Sequence, residues 1–493
     1  MRLDEYASHD GTGLARLLAA GEVTPADLGR CLVEAVAKTN PALNAVIELY
    51  SDALEALPRA AGPAPFHGIP TLTKDFSIEA GRPASFGSRL AQGFRPETDA
   101  VYWRRLRQAG LANAGRTTSS EFGVAAATET LLYGATRNPW DTSRGVSGSS
   151  GGAAAAVAAG VVPFAQGGDG GGSIRNPASF CGLIGLKPSR GRITGSPGAV
   201  APLMGLATGF LLTRSVRDTA ALLDACHGPD AGDGYEIAPP DGTYLEAIAK
   251  RPKGLRVALC TRSWSGLPID AEVLAATTAA AARLEALGHR VEEASPDFDY
   301  GAFLHAQKII WAADAAAGMP AMAARMGRPL DESTLGPTVL AAYRHGLTLN
   351  AAQLIEALAV YDRVTRQIGR FMAGYDLMVT PTSTILPEPI GAFDPDRAGL
   401  DLDTVFDDLA PKETFTALFN ATGQPAVSLP LGRSQGGLPI GIQFVASFGR
   451  EDLLLAVARQ LEEELEGGRG IWGQGVPAIH ADEPASPGRL GEG

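Results

Sequence analysis

The chain has 493 residues, of which 45% are hydrophobic and 19% charged, enough to build a sizeable core. Its formal net charge of −12, with basic residues scattered rather than clustered, argues against nucleic acid or an anionic membrane as the main partner. Length alone would suggest about three domains, but large α/β enzymes often run longer as one unit. Four cysteines, Cys31, Cys181, Cys226 and Cys260, lie far apart without a CxxC, so neither a disulfide framework nor a thiolate metal site is indicated. The first residues, MRLDEYASHDGTG, carry early acids and no apolar run, which points away from a signal peptide and towards the cytoplasm.

In chain order, Thr24-Pro25-Ala26-Asp27 reads as a helix start with cap, N1 proline and acidic third position. That helix is expected to run to about Lys38 with Leu28, Leu32, Val33 and Val36 on one face. Residues 40–65 read as loop and short helix. Ile69–Thr73 reads as a strand ending at Lys74-Asp75, Ala100–Ala109 as a helix, and Leu111–Thr117 as a strand breaking into a turn.

The run from Gly145 to Pro188 then holds two serine-bearing glycine clusters, SGSSGG (Ser147–Gly152) and GGDGGGS (Gly167–Ser173). No charged side chain occurs between Arg144 and Asp169. The stretch 145–168 is long enough by count to span a bilayer, yet it is mostly Gly, Ala, Val and Ser and is broken by Pro163, so no membrane span is expected. A helix is expected over Ser150–Ala159, a buried strand over Val161–Ala165, a helix or turn over Ser173–Phe180 and a short strand over Gly182–Leu186. Farther on, Gly254–Cys260, Ala271–Leu287 and His289–Ala294 read as strand, helix and strand. Phe303–Ala373 is helical with breaks, Tyr375–Ser383 a strand, Pro425–Gly432 and Leu438–Ala446 paired strands, and Glu451–Leu465 an amphipathic helix. Strands and helices interleave throughout, which favours an α/β sandwich. Residues 480–493 read as a mobile tail.

Glycines beside a hydroxyl let main chain approach a substrate closely and aim consecutive N–H groups at one point, as acyl transfer through serine requires. A serine hydroxyl also needs a base. The seven histidines find no support in their local context, with His67 the nearest to an exception. Of the 42 basic residues only seven are lysine. Lys74 stands out because it closes an apolar strand, where desolvation would keep it neutral; the competing reading is an ion pair with Asp75. GSSGG also fits the GxSxG nucleophile elbow with Ser150 as nucleophile, but that motif needs an apolar strand directly before it, and NPWDTSRGVS is loop-like.

The segments IPTLTKD (Ile69–Asp75), SGSSGGAAAAVAAG (Ser147–Gly160) and GGDGGGSIRNPASFCGLIGLKPSRGRI (Gly167–Ile193), with YDLMVTPT, NATGQPAVSLPLG and GLPIGIQFVASFGREDLLL later, resemble the amidase signature family over nearly the whole chain. Within it the chain looks most similar to bacterial amidases that include the cyclic nylon-oligomer hydrolase. The resemblance implies a central mixed β-sheet covered by helices on both faces, in one domain over 1–479. A catalytic core would occupy about 65–195 and a variable substrate-pocket region about 195–411.

It also implies Ser173 as nucleophile, Ser149 (after a cis peptide bond) as bridging serine, Lys74 as base, and the N–H groups of Gly170, Gly171, Gly172 and Ser173 as oxyanion hole. Ser150, Asp169 and Arg175 would organise the loop, the last two as an ion pair. Cys181, Trp311 and Phe303 are assigned to core packing. Ser147, Gly170 and the Gly115–Thr118 stretch depart from the family pattern without touching the triad. The implied activity is hydrolysis of a small-molecule carboxylic amide with no metal or organic cofactor, as a free enzyme for which a homodimer is allowed. The rival is a glutaminase-type component of a tRNA-dependent amidotransferase.

Overall fold

The computed structural model describes residues 1–57, 64–198 and 201–466. The expected tail at 480–493 and the domain end at 479 lie outside the described residues. Eleven strands form one mixed sheet: β1 (Val46–Leu49), β2 (Pro70–Lys74), β3 (Ala112–Thr117), β4 (Phe164–Asp169), β5 (Ile184–Lys187), β6 (Thr208–Thr213), β7 (Arg256–Leu259), β8 (Arg290–Glu293), β9 (Leu377–Pro381), β10 (Ala426–Arg433) and β11 (Pro439–Ala446). Their spatial order is β1-β3-β2-β4-β6-β5-β10-β11-β9-β7-β8. β2 runs parallel to β3 and β4, β7 runs parallel to β8 and β9, and the remaining neighbours are antiparallel.

Period-2 alternation sends successive strand residues to opposite faces. Val257, Leu377, Val427 and Phe444 enter a core built with the helices Pro25–Leu43, Gly151–Ala158 and Val216–Cys226. Their neighbours Ala258, Met378, Ala426 and Val445 enter a second core with the helices Tyr300–Met326 and Ala351–Met372. Both faces of the sheet are therefore covered, as the resemblance implies.

Several elements differ from expectation for identifiable reasons. The helix that starts at Pro25 continues past Lys38 and through Pro41 to Leu43. Its end is set by Asn40, whose side chain accepts from the N–H groups of Ala45 and Val46 and donates to the Val46 carbonyl, each at 2.8 Å. Its inward face is Leu28, Cys31, Leu32 and Ala35, whereas Val33 is 45% exposed. Residues 46–49, expected in loop or helix, pair with β3 as an edge strand. The buried strand expected at Val161–Ala165 starts only at Phe164, because Pro163 can donate nothing to a ladder. It continues instead through Gly167 and Gly168 to Asp169, paired along its length with β6. The loop-like segment before SGSSGG contains a short strand, Asp141–Gly145, in a two-stranded ribbon of half-exposed polar residues. It is not the apolar core strand a nucleophile elbow requires.

Candidate active site

The site is assembled from the ends of β2 and β4 and the start of the helix Gly151–Ala158. β2 is buried at every residue and delivers Lys74 to its last position. The Lys74 main-chain N–H donates to Gln166 Oε1 on β4 at 2.8 Å, which fixes the strand end. Its side chain turns inward, where Nζ and Ser149 Oγ are hydrogen-bonded at 2.6 Å. Nζ also lies 4.5 Å from the centroid of the Phe76 ring. Burial pushes the Lys74 amine down from 10.5 to about 7, although Asp169 and Asp75 pull the other way.

Asp75, the alternative partner for Lys74, is committed elsewhere. Its carboxylate accepts from Arg116 Nη1 (2.5 Å) and from the N–H groups of Ser85 (2.8 Å) and Gly87 (2.9 Å). Among the described residues no carboxylate forms an ion pair with Lys74.

Ser149 follows a cis peptide bond, and its carbonyl accepts from the Ser120 N–H at 3.2 Å. The next helix, Gly151–Ala158, consists of Gly, Ala and Val and is wholly buried. Its small residues are required by the approach of β3: a methyl on Gly152 would come within 2.3 Å of Thr118 Oγ1. Ser150 is tied to the main chain of β4, donating to the Gly168 carbonyl and accepting from the Gly168 N–H, both at 3.2 Å. Its own N–H donates to the Ser173 carbonyl at 3.2 Å, so the two serine-bearing clusters are stitched together.

The loop Gly170–Ser173 is anchored at both ends by one buried ion pair. Arg175 Nε and Nη2 donate to the two Asp169 oxygens at 2.9 and 2.8 Å, with both side chains fully buried. Such a pair persists only when every remaining donor and acceptor is met. Here Arg175 also donates to Gln443 Oε1 (2.7 Å), Asn420 Oδ1 (2.6 Å) and the Thr416 carbonyl (2.9 Å). Asp169 accepts in addition from Asn420 Nδ2 (2.9 Å) and the Ile174 N–H (3.2 Å). The arginine and these donors hold the Asp169 carboxyl down at about 2 against its burial. Gly172 has φ +143°, and a methyl there would meet Asn176 Nδ2 and Thr416 Oγ1 at 2.4 Å. Only glycine fits that position.

Lys74, Ser149, Asp169, Gly170 and Ser173 all line one cavity of about 330 Å³. Phe76, Tyr102, Phe122, Leu203, Tyr235 and Trp311 supply its apolar walls. Trp311 packs against a core cluster on one side and walls the cavity on the other, and its buried Nε1 has no partner among the described residues. Phe303 does lie in the core, as does Cys181. Lys74 and Ser149 are directly bonded; Ser173 shares the cavity with them, and no hydrogen bond joins its side chain to Ser149. Sequence reasoning missed Phe76, Gln166, Thr416, Asn420 and Gln443. The last three come from segments far along the chain, and only the topology brings them to the loop.

An eleven-stranded mixed sheet thus carries paired serines and a buried lysine into one cavity. The chain is 38% identical over 474 residues to the 6-aminohexanoate-cyclic-dimer hydrolase of Paenarthrobacter ureafaciens, covering 92% of this chain and 94% of that one. The solved structure of 6-aminohexanoate cyclic dimer hydrolase complexed with substrate superposes with a TM-score of 0.88 at 36% identity, covering 93% of this chain and 98% of the other. One component of the glutamyl-tRNA(Gln) amidotransferase of Synechococcus sp. (strain CC9605) is 34% identical over 477 residues, 90% of this chain and 94% of its own length. The protein is an amide-cleaving hydrolase. It belongs to the amidase family, whose sequence profile matches residues 28–455.

Proposed function

We propose that the chain hydrolyses a carboxylic amide through an acyl-enzyme on Ser173, with Ser149 and Lys74 as the proton relay. The observation that supports this most is the 2.6 Å bond between Lys74 Nζ and Ser149 Oγ, made by an amine that burial brings to about 7. A neutral amine accepts the Ser149 proton, Ser149 accepts the Ser173 proton, and Ser173 Oγ attacks the carbonyl carbon. The Gly170–Ser173 amides receive the oxyanion; losing one such donor costs about 3–4 kcal/mol. Ser149 then returns its proton to the leaving nitrogen, the C–N bond breaks, and the amine departs. Water repeats the cycle against the acyl ester and releases the acid.

The substrate class proposed is a linear or cyclic aliphatic amide or an aryl acylamide, in keeping with the aromatic cavity walls and with the substrate named for the 38% identical relative. Incubation of the isolated chain with anilides, fatty amides, lactam oligomers and peptide amides, with product masses recorded, tests this reading. Acid and amine products from the wild type and none from Ser173→Ala are expected. Hydrolysis of glutamine alone, and only with added partner proteins, would instead favour the amidotransferase reading suggested by the 34% identical relative.

A further inference from the structure

Behind the glycine loop lies a carboxyl that the mechanism above does not use. Glu413 ends the helix Leu402–Glu413 and is pressed against Gly171: a methyl on that glycine would come within 2.6 Å of Glu413 Oε2. The Gly171 carbonyl accepts from Thr416 Oγ1 at 2.6 Å, and the Thr416 N–H donates to the Glu413 carbonyl at 3.1 Å. One short segment therefore meets Gly171 twice, through the hydrogen bond from the Thr416 hydroxyl and through the Glu413 carboxyl packed beside it.

Among the described residues no cation forms an ion pair with that carboxyl. Lys412, its neighbour on the same helix, is ion-paired with Glu388, and Arg175 is committed to Asp169. Asp169 itself adds negative charge from the glycine-loop side. From the helix Tyr300–Met326 come Gln307, which faces Glu413 and pulls its carboxyl down, and Tyr300, whose hydroxyl accepts from Thr414 Oγ1 at 3.3 Å. The helix Ala351–Met372 adds Tyr361, which is uncharged because burial and Glu413 both push its hydroxyl up. Burial, reinforced by Asp169, pushes the Glu413 carboxyl from 4.5 up to about 7, although Arg175 and Lys412 pull the other way from their own ion pairs.

We infer that Glu413 is a positioning residue for the oxyanion pocket: protonated, it braces Gly171, and ionised, it sets a second negative charge behind the amides that must hold the first. The inference rests on the proposed role of the Gly170–Ser173 amides. Like charges in a water-poor site repel strongly, so ionisation of Glu413 slows attack by Ser173. Lys74 demands the opposite, because it works only after losing its proton. The two together give a rate that rises and then falls with pH.

The test is the rate at which a fluorophosphonate labels Ser173, followed by intact mass and peptide mapping from pH 5.5 to 9.5. This probe needs no knowledge of the natural substrate, and its phosphonyl oxygen enters the same pocket. For the wild type the rate should climb and then fall on the alkaline side, the bell shape of two opposed titrations. Glu413→Gln should lose the alkaline fall and keep the acid-side rise. Glu413→Asp, which keeps a carboxyl farther from Gly171, should keep a fall at a displaced midpoint and serves if the glutamine variant does not fold. Labelling of Ser173 without any alkaline fall in the wild type, or with the wild-type fall persisting unshifted in either variant, overturns the inference alone. Failure of the wild type to label at Ser173 overturns the Ser173 reading beneath it.

Discussion

Lys74 Nζ and Ser149 Oγ sit 2.6 Å apart at the end of a buried strand, and among the described residues no carboxylate pairs with the amine. A buried lysine held this way, with its titration lowered towards neutrality, suits the proposed role of base. Its displaced titration is the direct result of burial, and it sets the first expectation. The acid limb of the activity profile should follow Lys74 as it loses its proton near 7. Lys74→Ala should cost about 10²–10⁴-fold in kcat, the range for a lost general base. Lys74→Arg should not restore turnover, because guanidinium does not give up its proton. Steady-state rates across the neutral pH range check all three.

The same amine weakens the fold. Its folded titration point lies below the unfolded value of 10.5, so between about 7 and 10.5 the unfolded chain binds more protons and stability rises with pH. The penalty is fully present below the folded value and vanishes above the unfolded one. Lys74→Met should therefore raise Tm by about a few degrees in mildly acidic buffer, with the gain shrinking as the pH approaches the unfolded titration point. Thermal melts of both proteins at the two extremes decide this.

How much of this is legible in the sequence differs by element. The strand ending in Lys74 and the helix of small residues after Ser150 are readable because apolar runs and glycine spacing act locally. The strand Val46–Leu49 is not, since it is an edge strand made by pairing with β3, and its neighbours look like loop. The Asp169–Arg175 pair is expected from position alone. Its completion by Asn420 and Gln443 depends on strands and helices from the other end of the chain, and nothing in those segments pairs them with this loop until the sheet is assembled. Trp311 reads as core in the sequence because a helical aromatic usually is, and only the assembled cavity shows that it is also a wall, with an indole N–H that has no partner among the described residues.

Asp169→Asn should be strongly destabilising, because it leaves the Arg175 guanidinium buried without its counter-charge. Breaking such a pair from one side costs about 3–5 kcal/mol. Denaturant midpoints, or loss of soluble expression, measure this; a loss under about 1 kcal/mol would mean the pair is not what anchors the loop.

Gly172→Ala should lower kcat by about 10²-fold, the loss general for a displaced oxyanion donor, because a methyl at φ +143° meets Asn176 and Thr416. Backbone strain of this kind costs about 1–3 kcal/mol, so the variant should still fold. Far-ultraviolet circular dichroism together with kcat and KM separates the two effects.

Trp311→Ala should widen the cavity and move substrate preference towards bulkier acyl or amine groups, read as kcat/KM over an amide series of increasing size. The change should fall mainly on KM, because Trp311 forms a wall and makes no hydrogen bond to Lys74 or Ser149.

The most direct measurement is rapid-quench mass spectrometry of the enzyme during turnover of an activated ester or anilide. An acyl adduct is expected on the peptide that contains Ser173, formed in the wild type, absent in Ser173→Ala, and formed far more slowly in Lys74→Ala. Undiminished hydrolysis by Ser173→Ala, or an adduct on a different side chain, would contradict the acyl-enzyme on Ser173.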